Sequence, residues 1–355
     1  MKKPTDTSSS KTRLFHQGET GGPTMPRRRL MLTGVGAAAL GSLSVIRQVH
    51  AQSKPFYKDD TPIELIVPGG PGAGTDVVAR IAARGIAQQL NNRVVVKNLP
   101  GAAGIIAAQA AARAKPNGYN LFFGITGTHT VNQFLYDNLP YDPQKDFEPI
   151  SLVCKYNNVL VVRPDFEAQN FKDFIALVRA NPGKYFYGIT LTGSSSNLAM
   201  EFLKSEAGLD LPGVPYGSGA VAVTDFLGGQ YPVLMDTVIN QLPHIKAGRA
   251  IPLATTGGVR SHVLPDTPTI SESGYPQVVS IGWGGVMAPA GTPQMAIDEV
   301  SNALKAVLAS PIFDDLKAAG LETEYTTPAQ MAKFIAETSA KSARIVKAGN
   351  IKPAT

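Results

Sequence analysis

Apolar residues in the first half of the chain follow two alternating rhythms. Short continuous runs, Ile63–Val67, Val94–Lys97 and Leu121–Ile125, have the length and β-branched content of strands. Between them the spacing turns helical. Val78, Ala82, Ile86 and Leu90 recur every four residues with Arg80, Arg84 and Gln88 on the other side, which predicts a helix over 76–89. An alanine-rich stretch predicts a second helix over 102–114, ended by Lys115-Pro116-Asn117-Gly118. This β-α-β-α-β order predicts an α/β fold with a mainly parallel sheet, whose ligands gather beyond the carboxyl ends of the strands.

The middle of the chain repeats the scheme. Val159–Val162 and Tyr185–Ile189 read as strands, and 197–207 as a helix stopped by Gly208. A short helix over 220–227 ends at Gly228-Gly229, and short strands follow at Val233–Met235 and Pro252–Thr255. The last part is helical. Thr292-Pro293, Ser310-Pro311 and Thr327-Pro328 each place a hydroxyl before a proline, the pattern of a capped helix start. The three helices are expected to run to about 309, 319 and 347.

The first loop carries the clearest chemistry. Between Val67 and the helix, Pro68 to Gly74 holds four glycines and two prolines, and Thr75-Asp76 opens the helix. Free N–H groups and the helix dipole at such a junction favour an anion. A P-loop requires a lysine that does not follow Gly74, and a dinucleotide fingerprint requires glycine where Val77 stands. The loop suits a small anion such as a carboxylate better than a pyrophosphate; a purely structural tight turn is the alternative. A second junction of the same type joins Thr190–Ser196 to the helix at Asn197.

The N-terminus assigns a compartment. Arg27-Arg28-Arg29 precedes an uncharged run from Leu30 to Ile46, and Val49-His50-Ala51 supplies small residues for cleavage. Arg28-Arg29-Leu30-Met31-Leu32 fits a twin-arginine signal, with a general secretory signal as the alternative. Export to the periplasm with removal of the signal near Ala51 is expected, and Met25 is a candidate start. Of the 33 basic and 27 acidic residues, eight and two lie in 1–52, which leaves 25 of each in the mature chain. The formal charge of +6 therefore belongs to the leader, and a nucleic-acid or membrane-surface partner loses its support. One cysteine, Cys154 in an apolar run, allows no internal disulfide.

Eight short strings, in order, resemble one family. They are Ile66 to Arg80; Val96 to Gly104, read Val-Lys-Asn-Leu-Pro-Gly-Ala-Ala-Gly; Pro116-Asn117-Gly118-Tyr119; Leu139-Pro140-Tyr141-Asp142-Pro143 to Phe147; Val214-Pro215-Tyr216; Asp225 to Gln230; Leu264 to Thr269; and Ala288-Pro289-Ala290-Gly291-Thr292-Pro293. The chain resembles the periplasmic solute-binding receptors of tripartite tricarboxylate transporters, also called Bug receptors. The resemblance implies a two-lobed, type II-like periplasmic binding fold, each lobe a mainly parallel sheet flanked by helices, with crossovers near 155–160 and 275–285. Lobe 1 would comprise 53–157 with 279–355, and lobe 2 would comprise 158–278. It further implies a monomer without cofactor that binds a dicarboxylate, tricarboxylate or aromatic acid between the lobes and meets membrane permease subunits. A sensory receptor docking a signalling partner is the second class of function.

Candidate ligand residues are Gly72, Ala73, Gly74, Thr75 and Asp76 in the first lobe, with Thr126, Thr128 and His129 after the third strand. The second lobe contributes Ser194, Ser195, Ser196 and Asn197, and at strand ends Tyr216 and Asp236. Thr128 is the favoured hydroxyl; His129 reads equally as structural, Asp236 could meet a ligand amine but reads rather as structural, and Trp283 reads as hinge or core. The family pattern has phenylalanine at Gly69, histidine at Asn197 and lysine at Gly217, so this chain lacks bulk or positive charge at three places. Catalysis has little support. There is no Gly-x-Ser-x-Gly elbow and no His-x-x-x-His or Cys-x-x-Cys spacing, and a serine hydrolase pairing Ser195 with His129 is the remote alternative.

Overall fold

A polar break inside an apolar run marks where the molecule divides. Ile150–Cys154 and Val159–Val162 flank Lys155-Tyr156-Asn157-Asn158, and all lie in one long strand. The computed structural model describes residues 55–351 apart from 217 and 350. The expected export signal, cleavage near Ala51, the alternative start at Met25 and the Gly217 departure lie outside the described residues.

The elements run β1 (Ile63–Val67), α1 (Gly74–Leu90), β2 (Val94–Asn98), α2 (Ile105–Ala112), β3 (Asn120–Ile125), α3 (Asn132–Leu135) and β4 (Phe147–Val162). They continue with α4 (Phe171–Ala180), β5 (Tyr187–Ile189), α5 (Ser195–Ala207), β6 (Gly213–Pro215), α6 (Gly219–Leu227), β7 (Val233–Thr237), α7 (Val238–Lys246) and β8 (Ile251–Thr255). The last are β9 (Ile281–Pro289), α8 (Gln294–Leu308), α9 (Asp314–Ala318), β10 (Leu321–Thr323) and α10 (Pro328–Ala348).

The strand order is β2-β1-β3-β9-β4-β7-β5-β6. The trios β2-β1-β3 and β7-β5-β6 are parallel. Between them β9 and β4 run antiparallel to their neighbours. β4 pairs with β9 from Phe147 to Asn157, then with β7 and β8 from Asn158 onward. The chain returns at 280–281, where the Ser280 N–H donates to Thr256 O and Ile281 pairs with Asn157. Two lobes thus share two crossovers, each lobe with its own doubly covered sheet. Ile63, Leu65, Val67 and Phe123 pack on one face of the first sheet against α1 and α8, while Ile66, Phe122 and Trp283 pack on the other. The second sheet buries Leu160 and Val162 against α4 and α5, and Val159 and Val161 against Phe226 and Leu242. α10 serves both lobes: Met331 and Ile335 join Trp283, whereas Ile345 and Val346 join Leu198 and Phe202.

Three local expectations change. The alanine-rich helix begins at Ile105, not 102, because Ala102 and Ala103 take φ of 46° and 53° and Gly104 of 84°. Left-handed alanine costs about 1–2 kcal/mol per residue, and here Asn132 Nδ2 holds the Ala103 carbonyl at 3.1 Å. The Thr292 hydroxyl donates back to Pro289 O and the Ser310 hydroxyl to Val307 O, so neither caps its helix. Only Thr327 forms the expected cap, a reciprocal box with Gln330. The amphipathic α4 and the short α7, which carries Pro243 inside it, were not legible as helices.

Candidate functional site

Two glycine turns lead from strand ends into helices, one in each lobe. In the first, Gly72 takes φ of 80° and Ala73 is the extended residue before α1, with no side-chain cap. The Gly72 N–H donates to Asp76 Oδ2 at 2.8 Å, and the Ala73 N–H to Gly70 O. The N–H groups of Gly74, Thr75 and Asp76 fall in the first turn, where a helix offers no acceptor. Asp76 is buried and braces this loop. Its carboxylate also receives Asn98 Nδ2 at 2.8 Å and Arg80 Nε at 2.9 Å. Burial opposes its ionisation, but Arg80, Gly72 and Asn98 outweigh it and hold the group below the usual carboxylate range.

The second junction has the same backbone plan. Gly193 takes φ of 76°, and its N–H donates to Asn197 Oδ1 at 3.0 Å, four residues on, as Gly72 does to Asp76. Ser194 precedes α5 and caps it by accepting the Asn197 N–H. Ser194 Oγ lies 2.9 Å from Ser196 Oγ, and Ser195 Oγ donates to Asn158 Oδ1 of the crossover. Asn197 Nδ2 donates to Tyr187 Oη, whose own proton goes to Glu201. Ser195, Ser196 and Asn197 are all buried.

A cavity of about 300 Å³ opens on the first junction. Gly72, Gly74, Thr75, Val77 and Val78 form one wall, with Phe123 and Ile125 of β3 beside them. The crossovers contribute Cys154, Tyr156, Trp283 and Gly284. Thr237, Ile239 and Asn240 line it from the second lobe, and Leu316 and Leu321 add further apolar surface. Among the described residues, no Asp, Glu, Lys, Arg or His lines it. Cys154 is a buried thiol pushed up to about 12 by desolvation, so it stays protonated.

Ser194–Asn197 do not line this cavity. A π-helical turn (Gly127–Val131) and α3 cover their loop: a Cβ on Gly193 would meet Leu135 Cδ1 at 3.3 Å and Asn132 Oδ1 at 3.4 Å. The Thr126 hydroxyl accepts the Trp283 N–H at 3.0 Å. Thr128 Oγ1 bonds Ile125 and His129 Nδ1, within its own turn. His129 is wholly buried among Phe122, Phe147 and Trp283, and burial takes it down to about 3, so the imidazole is neutral. Ser195 and His129 thus have other partners and do not bond each other. The Tyr216 ring packs tilted against Tyr231 at 5.5 Å and does not line the cavity. Asp236 is buried behind the second-lobe wall; desolvation raises its carboxyl although Gln241, Thr237 and Asn240 oppose this.

The far wall was missed in the sequence, although a signal existed. Thr237 ends β7 and accepts the Asn240 N–H, the Thr-x-x-Asn spacing of a helix start. Pro243 six positions into the helix hid it.

Comparison with known proteins agrees with this architecture. Residues 78–351 match the model of the family described as "Tripartite tricarboxylate transporter family receptor". Protein BugT of Bordetella pertussis (strain Tohama I) is 32% identical over 322 residues, 90% of this chain and 97% of that protein. Rpa4515 of R. palustris, solved with adipate, is 29% identical with a TM-score of 0.79, over 84% of this chain and 100% of that one. MatC of Rhodopseudomonas palustris, solved with bound malate, is 27% identical with a TM-score of 0.74, over 80% and 98%. With these matches spanning both lobes and the cleft, the chain belongs to the tripartite tricarboxylate transporter receptors, a family of periplasmic solute-binding proteins with a two-lobed fold.

Proposed function

We propose that this receptor captures a small carboxylate between its lobes and presents it to the permease of a tripartite tricarboxylate-type transporter, without chemical change to the ligand. The observation that carries this reading is the interlobe cavity with the unpaired first-turn N–H groups of α1 in its wall. The N–H groups of Gly74, Thr75 and Asp76 receive the carboxylate, while the Asp76 side chain holds their loop through the Gly72 N–H. The adipate and malate described with two relatives belong to the same ligand class. An anion at a helix start contributes about 0.3–1 kcal/mol when exposed and up to ~2 when partly buried. Micromolar binding requires about −8 kcal/mol, so apolar burial and closure of both lobes supply the rest. Residues 53–157 with 279–355 and residues 158–278 are the two bodies that close. Binding then acts by population shift, because a ligand touching both walls favours the closed state.

Thermal denaturation against a panel of carboxylates tests the reading. A cognate acid at 100-fold excess over its Kd stabilises the fold by about 2.7 kcal/mol. Absence of any shift with aliphatic, aromatic, di- and tricarboxylic acids would overturn it.

A further inference from the structure

One helix is built into both lobes, although the receptor reading above requires them to move. α10 has 21 residues and, after Pro328 at its first position, contains no glycine or proline. It has no kink site and moves as a rigid rod. Met331 and Ile335 sit in the core of the first lobe with Trp283 and Leu152. Ile345 and Val346 sit in the core of the second, where α10 packs on α5 with its Leu198 and Phe202. From 331 to 345 the two anchorages lie about 21 Å apart along the axis, at ~1.5 Å per residue. A rod fixed at both ends would hold the lobes at one angle, so their relative motion requires one end to let go.

The two ends are not held equally. At the first, Thr327 and Gln330 cap each other. The Thr326 N–H donates to Ser151 Oγ at 3.1 Å, and Thr326 Oγ1 accepts the Leu152 N–H at 3.0 Å, which ties the helix start to β4. Midway, Gln133 Nε2 of α3 donates to Ser339 Oγ at 2.8 Å and joins α3 to the same unit. Beyond Ser339 the described residues of α10 form no side-chain hydrogen bond or ion pair. Apolar burial alone holds the far end. Val131 and Leu135, before and at the end of α3, enter the same second-lobe cluster as Ile345 and Val346. None of these four residues lines the cavity. Apolar contact is non-directional, so such a surface separates and re-forms without leaving polar groups unpaired.

We infer that the last turns of α10, together with α3, form a latch. Docked on α5 they hold the lobes closed, and when the cleft opens they leave α5 and stay with the first lobe. This rests on the two-body receptor reading. The latch sets the balance between open and closed states without touching the ligand, and a weaker latch lowers apparent affinity by depopulating the closed state.

Distances between paired spin labels in the full mature protein, measured without ligand, test it. Met295→Cys on α8 and Lys172→Cys on α4 report the two lobes, and Lys347→Cys reports the end of α10. All three positions are exposed, and the native Cys154 is buried. Ile345→Ala, or Ile345→Val if that does not fold, is expected to raise the fraction of molecules displaced from the main 295–172 distance, by about fivefold or more for alanine and about twofold for valine. In the displaced fraction the 347–172 distance changes and the 295–347 distance stays fixed. Identical 295–172 distributions in wild type and variant overturn the latch and leave the receptor reading to its own carboxylate test. A fixed 347–172 distance with a changing 295–347 distance shows the helix travelling with the second lobe and overturns the choice of end.

Discussion

The glycine turns at Gly72 and Gly193 are built alike and placed differently. Each has a left-handed glycine, an extended residue before the helix, and a side-chain oxygen four residues on that accepts the glycine N–H. At the first turn that oxygen belongs to a carboxylate steadied by Arg80 and Asn98; at the second it belongs to an amide steadied by Tyr187. The first helix start has Ala73 before it and no cap; the second has Ser194 and is capped. The first faces the cavity and the second is roofed by Leu135 and Asn132. A backbone device that can hold an anion becomes a binding wall only where its N–H groups are left free and reachable.

The comparison breaks most visibly if charge is moved to the second turn. Asn197→Asp places a buried carboxylate near Glu201, without an arginine, and is expected to cost about 3 kcal/mol of stability at neutral pH. Its folded pKa would rise above the unfolded value. The penalty is therefore full above the folded pKa and is relieved as pH falls through it. Denaturant melts at pH 7 and pH 4 check this, and an equal loss at both would refute the charge explanation.

The reverse exchange, Asp76→Asn, gives the first turn the chemistry of the second. It retains an acceptor for Gly72 and loses the Arg80 ion pair, for an expected cost of about 1–2 kcal/mol at pH 7. Asp76 has a depressed folded pKa, so its contribution is present above the unfolded pKa of about 3.9 and is lost as pH falls through the folded value. Wild type and variant should converge in strong acid. Parallel stability curves down to pH 2 would show that the charge plays no part.

The smallest change sharpens the comparison furthest. Ala73→Ser supplies the cap that Ser194 has, with an expected gain of about 0.5–1 kcal/mol in stability. The new hydroxyl takes an N–H from the group proposed to meet the ligand, so affinity for the cognate acid should fall severalfold. Ser194→Ala is expected to lose about 1 kcal/mol and leave affinity nearly unchanged. If the two substitutions altered affinity alike, the assignment of a binding role to the first turn alone would be wrong.

Much of the fold was readable because it is written in local patterns. β1, α1, β3 and α5 follow from apolar runs and four-residue spacing, and the Gly208 stop from one left-handed residue. The Thr128 hydroxyl shows the opposite case. Its sequence position, after a strand end, marks it as available, but its oxygen is consumed by Ile125 and His129. Thr292 and Ser310 look like caps until their hydroxyls turn back to the preceding carbonyls. Leu316 shows no sequence feature that marks it as a cavity residue, and Asn240 shows only the spacing of a helix start; that both line the cavity follows from the packing of distant segments.

By itself, then, the sequence determined the α/β class, both glycine junctions and the family. Each depends on backbone preferences and side chains within a few residues of one another, which a linear pattern preserves. Only the tertiary structure decided which junction faces a cavity and what stands opposite it. Ser195 meets Asn158 across 37 positions, and Thr75 shares a cavity with Thr237. Burial and the choice of hydrogen-bond partner arise where distant segments pack together, and no local pattern encodes which of two equivalent helix starts will be covered.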